Sequence, residues 1–104
     1  MKRGEIRWYA FRPPDKRRPV LLMTRDEVIE QLGELIAVPI TRTIRGVATE
    51  VLLTPDDAVP CAMNFDHVGL AQRARIGARI ADLRAERWPE VRRALLVACG
   101  FESS

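Results

Sequence analysis

The sequence of 104 residues is poor in the residue types that build metal centres and disulfide scaffolds. Its two cysteines, Cys61 and Cys99, and its one histidine, His67, are too few and too scattered for a metal cluster. Both cysteines lie among apolar neighbours, so we expect buried, reduced thiols. The sequence therefore predicts a protein with no metal and no cofactor.

Long apolar runs are also missing, since none approaches the roughly 20 residues that a membrane-spanning helix needs. No secretory signal is recognised at the start of the chain. We therefore expect a cytoplasmic protein without a membrane partner. Aromatic residues make up 6% of the chain, which argues against a small adaptor that binds proline-rich peptides in an exposed aromatic groove.

Lysine is scarce as well, because Lys2 and Lys16 are the only lysines among 17 cationic residues, and the net charge is +3. The planar guanidinium of arginine binds phosphate through two hydrogen bonds and stays charged, so this usage suits nucleic-acid recognition. A genome rich in G and C would produce the same bias whatever the function. The positions of the arginines must decide between these explanations.

The length and a hydrophobic content of 47% predict one globular domain, residues 1–104. Apolar runs and alternation predict strands at 5–11, 19–23, 35–40, 49–53, 61–70 and 75–81. A loop at 12–17, a helical turn at 26–32 ended by Gly33 and a chain reversal at 54–57 are expected between them.

Near the end of the chain the apolar period becomes helical, with Trp88, Val91, Leu95 and Ala98 on one face. We expect this helix to begin at 85–88 and to end at Gly100. Several short strands closed by one packed helix predict a mainly β protein with α, in the form of a small SH3-like barrel.

Two predicted strands carry polar residues at one end. The basic residues before Pro19 lead directly into an apolar strand, and proline places Arg18 in extended backbone at the strand's start. The strand at 35–40 is followed by Thr41 and Arg42. A fixed guanidinium and a nearby hydroxyl are the groups that would hold a phosphodiester.

The segments Arg18-Pro19-Val20 and Val38-Pro39-Ile40-Thr41, in this order, resemble the MazF/PemK family of toxin endoribonucleases. The segments at 1–6 and 61–68 add to the resemblance, which extends from residue 2 to 101. It implies a metal-free, ribosome-independent ribonuclease that acts on single-stranded messenger RNA. It also implies a MazF/PemK/CcdB-like barrel, a homodimer and a cognate antitoxin as partner.

The resemblance assigns catalysis to Arg18 and Thr41. In cleavage by the ribose 2′-hydroxyl, Arg18 would stabilise the charge that builds up on the phosphate. Thr41 would hold the phosphate or relay a proton, but neither residue is a natural general base. Thr41 could instead be an ordinary strand residue, with Thr43 in its role.

The residues predicted to bind RNA are Lys16, Arg17, Arg42, Asp66, His67, Gln72 and Arg73. His67 could contact RNA, act as a base or be structural. Asp66, with Asn64, could read base edges or stabilise a turn. The arginines at 73–79 could follow the RNA backbone or form a solvated face.

Among the aromatic residues Trp8, Tyr9 and Phe11, one could stack on a base, and Trp8 is expected in the core. A different function is a noncatalytic CcdB-like toxin that binds a protein target such as a topoisomerase. Such toxins depend on a tryptophan near the end of the chain. This sequence ends at 100–104 without one.

Overall fold

The computed structural model describes residues 1–13, 16–53 and 60–103. The expected loop at 12–17 is described only at its two ends, and the expected chain reversal at 54–57 lies outside the described residues. Within the described ranges the elements are β1 (Glu5–Ala10), β2 (Arg17–Leu22), α1 (Asp26–Ile29), β3 (Glu34–Thr41), β4 (Glu50–Leu53), β5 (Cys61–Asn64), β6 (Gly69–Gln72), β7 (Ile76–Asp82) and α2 (Trp88–Ala98).

The strands pair antiparallel in the order β4-β5-β3-β2-β1-β7, and β6 also pairs with β3. The long strand β3 has three partners, because residues 34–37 pair with β6, 37–39 with β2 and 40–41 with β5. A mainly antiparallel sheet with a C-terminal helix is therefore confirmed. The closed barrel is not confirmed, since no pairing joins the outer strands β4 and β7 within the described residues.

The expected strand at 61–70 is wrong as a single strand. Asn64 ends β5, and its side-chain oxygen accepts a hydrogen bond from the backbone N–H of Asp66 at 3.0 Å. This bond offers the backbone an alternative to the sheet and starts a short 3-10 turn, Phe65–His67, before β6 begins. The turn carries His67 across the end of the sheet. The helix α1 is likewise shorter than expected and ends at Ile29, before Gly33.

The core consists of two clusters, one on each face of the sheet. Successive residues of a strand point to opposite faces, so Leu21 enters one cluster while Val20 and Leu22 enter the other. The helix α2 covers the first cluster with Val91 and Ala94. Ile29 of the short α1 is the only residue of the second cluster that comes from a described helix. The other end of that face is open at the pocket lined by residues of this cluster. The open end is where the candidate site lies.

The helix α2 confirms the expected C-terminal helix. Trp88 begins it and packs against the first cluster, and Gly100 follows its end with φ of +82°, a conformation that glycine adopts without strain. None of the described helices has the length and apolar character needed to cross a membrane.

Three expectations about burial are wrong. Tyr9, 8% exposed, is the aromatic core residue of β1, whereas Trp8 belongs to neither cluster and lies under the guanidinium of Arg17. Cys99 is exposed, because it lies at the open end of α2, and Cys61 is only partly buried. Both thiols are free, and burial raises the pKa of the Cys61 thiol.

Candidate functional site

Arg18 and Thr41 lie on the same face of the sheet. Arg18 is paired with Tyr9 across β2 and β1, and paired residues of antiparallel strands share a face. Val20 of β2 pairs with Pro39 of the antiparallel strand β3. Arg18 lies two residues before Val20, and Thr41 lies two residues after Pro39, so both are displaced in the same direction. Since the side-chain period of a strand is two, all these residues face the open end of the second cluster. The structure thus brings together the two residues expected to act in catalysis.

The two side chains differ in how they are held. Arg18 is exposed and takes part in none of the ion pairs found among the described residues. Thr41 is partly buried at the last position of β3, and its hydroxyl accepts a hydrogen bond from the backbone N–H of Thr43 at 3.1 Å. This bond leaves the hydroxyl hydrogen of Thr41 available for donation. Thr43 lies beyond the strand and is exposed.

A pocket open to solvent lies beside β2, the strand of Arg18. Its wall is mostly apolar and is formed by Tyr9, Phe11, Val20, Ala37, Pro39, His67, Gly69, Leu70 and Ala71. The rings of Tyr9 and Phe11 meet edge to face, with centroids 4.8 Å apart. A pocket of this composition next to an arginine can accept a flat apolar group that carries a phosphate.

His67 reaches the pocket from the 3-10 turn, and its ring is exposed. Its Nδ1 atom lies 3.3 Å from Nδ2 of Asn64, which is 7% exposed. The carbonyl oxygen of the same amide accepts from Asp66 and from Arg45. His67 is therefore oriented from its inner side by a buried amide.

Asp66 takes part in a network of ionic hydrogen bonds instead of pointing freely to solvent. Its carboxylate accepts from the Thr49 hydroxyl at 2.8 Å and from the Arg45 guanidinium at 3.0 Å. These bonds, in that order of importance, hold the pKa of Asp66 below its usual value. Both turn-stabilising roles that the sequence left open, for Asn64 and for Asp66, are thus present in the structure.

Glu50 closes this network from the protein interior, with its side chain only 2% exposed. Burial raises the pKa of Glu50, but hydrogen bonds from the backbone N–H groups of Arg45 and Gly46 and from the Arg45 guanidinium outweigh burial, so the pKa is lowered. A carboxylate that is buried and multiply hydrogen-bonded fixes the loop between β3 and β4.

The two adjacent arginines of β2 project from opposite faces of the sheet. Ala10 pairs with Arg17 and Tyr9 with Arg18, so consecutive side chains alternate between the faces. The guanidinium of Arg17 lies 4.5 Å from the centre of the Trp8 ring, away from the pocket. Lys16 and Arg42 are exposed at the ends of the two loops that flank the site. Their contact with RNA stays a prediction.

The basic residues Arg73 and Arg75 form hydrogen bonds within the protein. The guanidinium of Arg73 donates to the carbonyl of Leu32 at 2.9 Å and to that of Ile29, and so connects β6 to the end of α1. Gln72 is exposed, and its backbone N–H donates to the Tyr9 hydroxyl at 3.0 Å. Arg75 donates to the Ala10 carbonyl at 2.9 Å. RNA contacts of Gln72 and Arg73 stay predictions.

Arg45 has a structural role that the sequence alone does not indicate. Its three polar partners come from positions 50, 64 and 66, so the contacts are formed only when the loop after β3 meets the turn after β5. The local signal in the sequence is Gly46, a residue typical of turns. Its φ is +71°, and in this turn the Glu50 carboxylate accepts a hydrogen bond from the backbone N–H of Arg45.

The chain is similar to known proteins over most of its length. Residues 2–98 match the family described as "PemK-like, MazF-like toxin of type II toxin-antitoxin system". The chain is 38% identical over 103 residues to a Mycobacterium tuberculosis protein named "Probable endoribonuclease MazF2", covering 96% of this chain and 99% of that protein.

Solved structures give the same result at the level of the fold. The Mycobacterium tuberculosis toxin MazF-mt6 superposes with a TM-score of 0.85 at 30% identity, over 94% of this chain and 98% of that one. A MazE-MazF structure from Deinococcus radiodurans superposes with a TM-score of 0.81 at 26% identity, over 98% of this chain and 97% of that one.

Proposed function

Because this chain belongs to the PemK-like, MazF-like toxin family of type II toxin–antitoxin systems, we propose that it is an endoribonuclease toxin that cleaves single-stranded RNA and so inhibits translation and growth. The observation that carries the proposal is the placement of Arg18 and Thr41 on one face, beside a pocket with an aromatic wall. The noncatalytic CcdB-like alternative is not favoured, since the relatives that match are named endoribonucleases.

The proposed reaction uses the ribose 2′-hydroxyl as the nucleophile. The 2′-oxygen attacks phosphorus and loses its proton, the bond from phosphorus to the 5′-oxygen breaks, and the leaving oxygen gains a proton. The products are a 2′,3′-cyclic phosphate and a 5′-hydroxyl. Arg18 stabilises the charge on the phosphoryl oxygens with its guanidinium, and Thr41 donates its hydroxyl hydrogen to the same group.

The pocket supports single-stranded RNA as the substrate. A base inside a duplex is stacked and paired, whereas a base of a single strand can be turned out and packed against aromatic rings. Phe11, Pro39 and Leu70, next to the largely buried ring of Tyr9, form such a surface on the face of Arg18. A pocket that receives one base can also distinguish between bases, so we propose that cleavage is sequence-selective.

The side chains that face the site also support a reaction without metal. Arg18, Thr41 and His67 are cationic or neutral groups that suit a phosphate anion, whereas Mg²⁺ prefers carboxylate and carbonyl oxygens. The carboxylates of Asp66 and Glu50 are already engaged with Arg45. The protein therefore supplies its own positive charge to the phosphate.

The test is cleavage of assorted RNAs by purified protein in EDTA, with mapping of the cut ends. We expect cleavage to continue and to leave 2′,3′-cyclic phosphates. A substrate with a 2′-O-methyl group at the scissile nucleotide should bind but stay intact, because the nucleophile is blocked. Cleavage that starts only when magnesium is added would contradict the proposed mechanism.

We propose that the protein works as a homodimer. A chain of 104 residues buries a limited core, so a shared face adds stability.

We also propose that a cognate antitoxin inhibits the protein. A MazE-MazF assembly is among the similar structures. A flexible acidic segment of the antitoxin would complement the charge of Arg18 and compete with RNA for that face. An antitoxin complex that binds RNA with unchanged affinity would contradict competition.

A further inference from the structure

We infer that Asn64 and Arg45 are positioning residues that hold His67 in one tautomer, with the proton on Nε2, so that the ring donates a hydrogen bond to an acceptor atom of bound RNA. The tautomer follows from hydrogen-bond geometry alone. The identity of the acceptor rests on the proposed function, because it requires RNA in the pocket that His67 lines.

The first step is the orientation of the Asn64 amide. Its Oδ1 atom receives two groups that can only donate, the backbone N–H of Asp66 at 3.0 Å and the Arg45 guanidinium at 3.3 Å. The opposite orientation would place the amide NH₂ against both donors. The partners of Asn64 therefore fix its oxygen toward Asp66 and Arg45 and its Nδ2 toward His67.

The second step is the protonation of the imidazole ring. The Asn64 Nδ2 group can only donate, and it lies 3.3 Å from Nδ1 of His67. Nδ1 must then be the acceptor, and the neutral ring carries its proton on Nε2. Because the ring lines the pocket and is exposed, this N–H is available to a phosphate oxygen or to a base nitrogen or carbonyl. In this tautomer His67 is a donor and does not act as the general base.

Arg45, itself held by two carboxylates, keeps the Asn64 amide in place. The Arg45 guanidinium is held by Glu50 at 3.3 Å and by Asp66 at 3.0 Å. Glu50 is in turn anchored by the backbone N–H groups of Arg45 and Gly46, each at 2.9 Å. A buried carboxylate thus fixes an arginine, the arginine fixes an amide, and the amide fixes the histidine. The chain of bonds also links the loop that follows Thr41 to the turn that carries His67.

Because His67 is the only histidine, its ring nitrogens can be observed without overlap by ¹⁵N NMR that reports which nitrogen carries the proton. In the neutral ring of the wild-type protein we expect the proton on Nε2 alone. Asn64→Asp replaces the donor with an acceptor and should move the proton to Nδ1. The wild-type spectrum alone can overturn the inference, even if the variant fails to fold: a proton on Nδ1, or an even mixture, would do so.

Binding of a non-cleavable RNA, with 2′-O-methyl at the scissile nucleotide, tests the donor role. His67→Ala should weaken binding roughly three- to tenfold, the worth of one hydrogen bond. Asn64→Asp should weaken it similarly, and the double variant should bind no worse than His67→Ala, since Asn64 acts through His67. The exposed Arg25→Ala is the matched control, with unchanged tautomer and unchanged binding.

The outcomes separate the two proposals. RNA cleavage combined with a mixed tautomer would overturn the positioning role and leave the endoribonuclease assignment standing. An Nε2–H tautomer in a protein that neither binds nor cleaves RNA would overturn the proposed function, and the donation to RNA with it, while the role of Asn64 and Arg45 would stand. Additive losses in the double variant would show that Asn64 does not act through His67.

Discussion

Arg18 is paired directly with Tyr9 across the antiparallel strands β2 and β1. Side chains of such a pair start about 5 Å apart on the same face, so the register of one hairpin places the guanidinium beside the wall of the pocket. A phosphate on Arg18 and a base in the pocket that Tyr9 lines would then be contacts of one bound nucleotide. A register slip of one residue would place Arg18 on the opposite face of the sheet.

Arg18→Ala should lower the rate of RNA cleavage by on the order of a hundredfold or more, as the loss of a preorganised charge stabiliser does. The fold should survive, because the side chain is exposed near the start of β2. Arg18→Lys should recover little activity, since an ammonium lacks the two-pronged geometry of the guanidinium. Single-turnover cleavage rates measure the effect.

The control for Arg18 is Arg25→Ala, an exposed arginine that precedes α1. Both variants should unfold at the wild-type temperature, and only Arg18→Ala should be inactive. If Arg18→Ala cleaved RNA at the wild-type rate, the active site would lie elsewhere and His67 would be the next residue to replace.

Thr41→Ala should reduce cleavage less than Arg18→Ala but clearly more than Arg25→Ala, because it removes one neutral donor and not a charge. Thr41→Ser keeps the hydroxyl that bonds to Thr43 and should retain most of the activity. Thr43→Ala tests the alternative assignment. If it proved the more damaging of the two alanine variants, the hydroxyl that acts would be that of Thr43.

Glu50→Gln should lower the free energy of unfolding by about 1–3 kcal/mol at pH 7, because a buried carboxylate loses charge-assisted hydrogen bonds. The folded-state pKa of Glu50 is below its reference of 4.5. A lowered pKa means that the stabilisation is complete above the unfolded-state value and is lost as the pH falls through the folded-state value. The difference between wild type and variant should therefore shrink below about pH 4.5.

Denaturant unfolding at a series of pH values measures this difference. Glu86→Gln removes an exposed carboxylate and should change the unfolding free energy at pH 7 by no more than about 0.5 kcal/mol. A Glu50→Gln protein as stable as wild type at pH 7 would show that the network around Arg45 contributes nothing to the fold.

Arg73→Ala should lower the free energy of unfolding by about 1–3 kcal/mol, because the carbonyls of Leu32 and Ile29 lose a charged donor. Arg79→Ala is the control, since its ion pair with Asp82 is exposed and should be worth at most about 1 kcal/mol. Weaker RNA binding by a fully stable Arg73→Ala protein would instead support the RNA contact predicted from the sequence.

Sedimentation at micromolar concentration should show a homodimer, since a small domain gains stability from a shared face. The same sample should be active, so that its assembly state is that of the working enzyme. An active monomer would contradict the proposal that the protein works as a homodimer.

The local signals in the sequence predicted the elements that depend on short-range pattern. Proline at 19 lies close to the beginning of β2, which starts two residues earlier at Arg17, and glycine at 100 follows the end of α2. Each residue restricts or frees the backbone where it stands. The ends of the predicted strands at 19–23 and 35–40, together with a family resemblance, indicated Arg18 and Thr41 as site residues. Their common face followed only from the register of β1, β2 and β3.

The features that the sequence did not predict depend on contacts between distant residues. Alternation along β1 could not decide whether Trp8 or Tyr9 faces the core, because both faces of the sheet are partly apolar. The inward engagement of Arg73 depends on carbonyls at the end of α1, 41 and 44 residues away. Closure of a barrel likewise depends on strands far apart in sequence, and β4 and β7 do not pair within the described residues.

The pairing of β1 with β7 has a consequence for synthesis of the protein on the ribosome. β1 is made first, but one of its edges stays without a partner until β7 is made, and the backbone bond from Leu83 to Gly4 forms later still. The helix that covers the first core cluster follows after that. Such long-range pairing delays folding until nearly all of these elements have left the ribosome. The nascent chain therefore contains Arg18 and Thr41 early but acquires a stable fold around them only late in its synthesis.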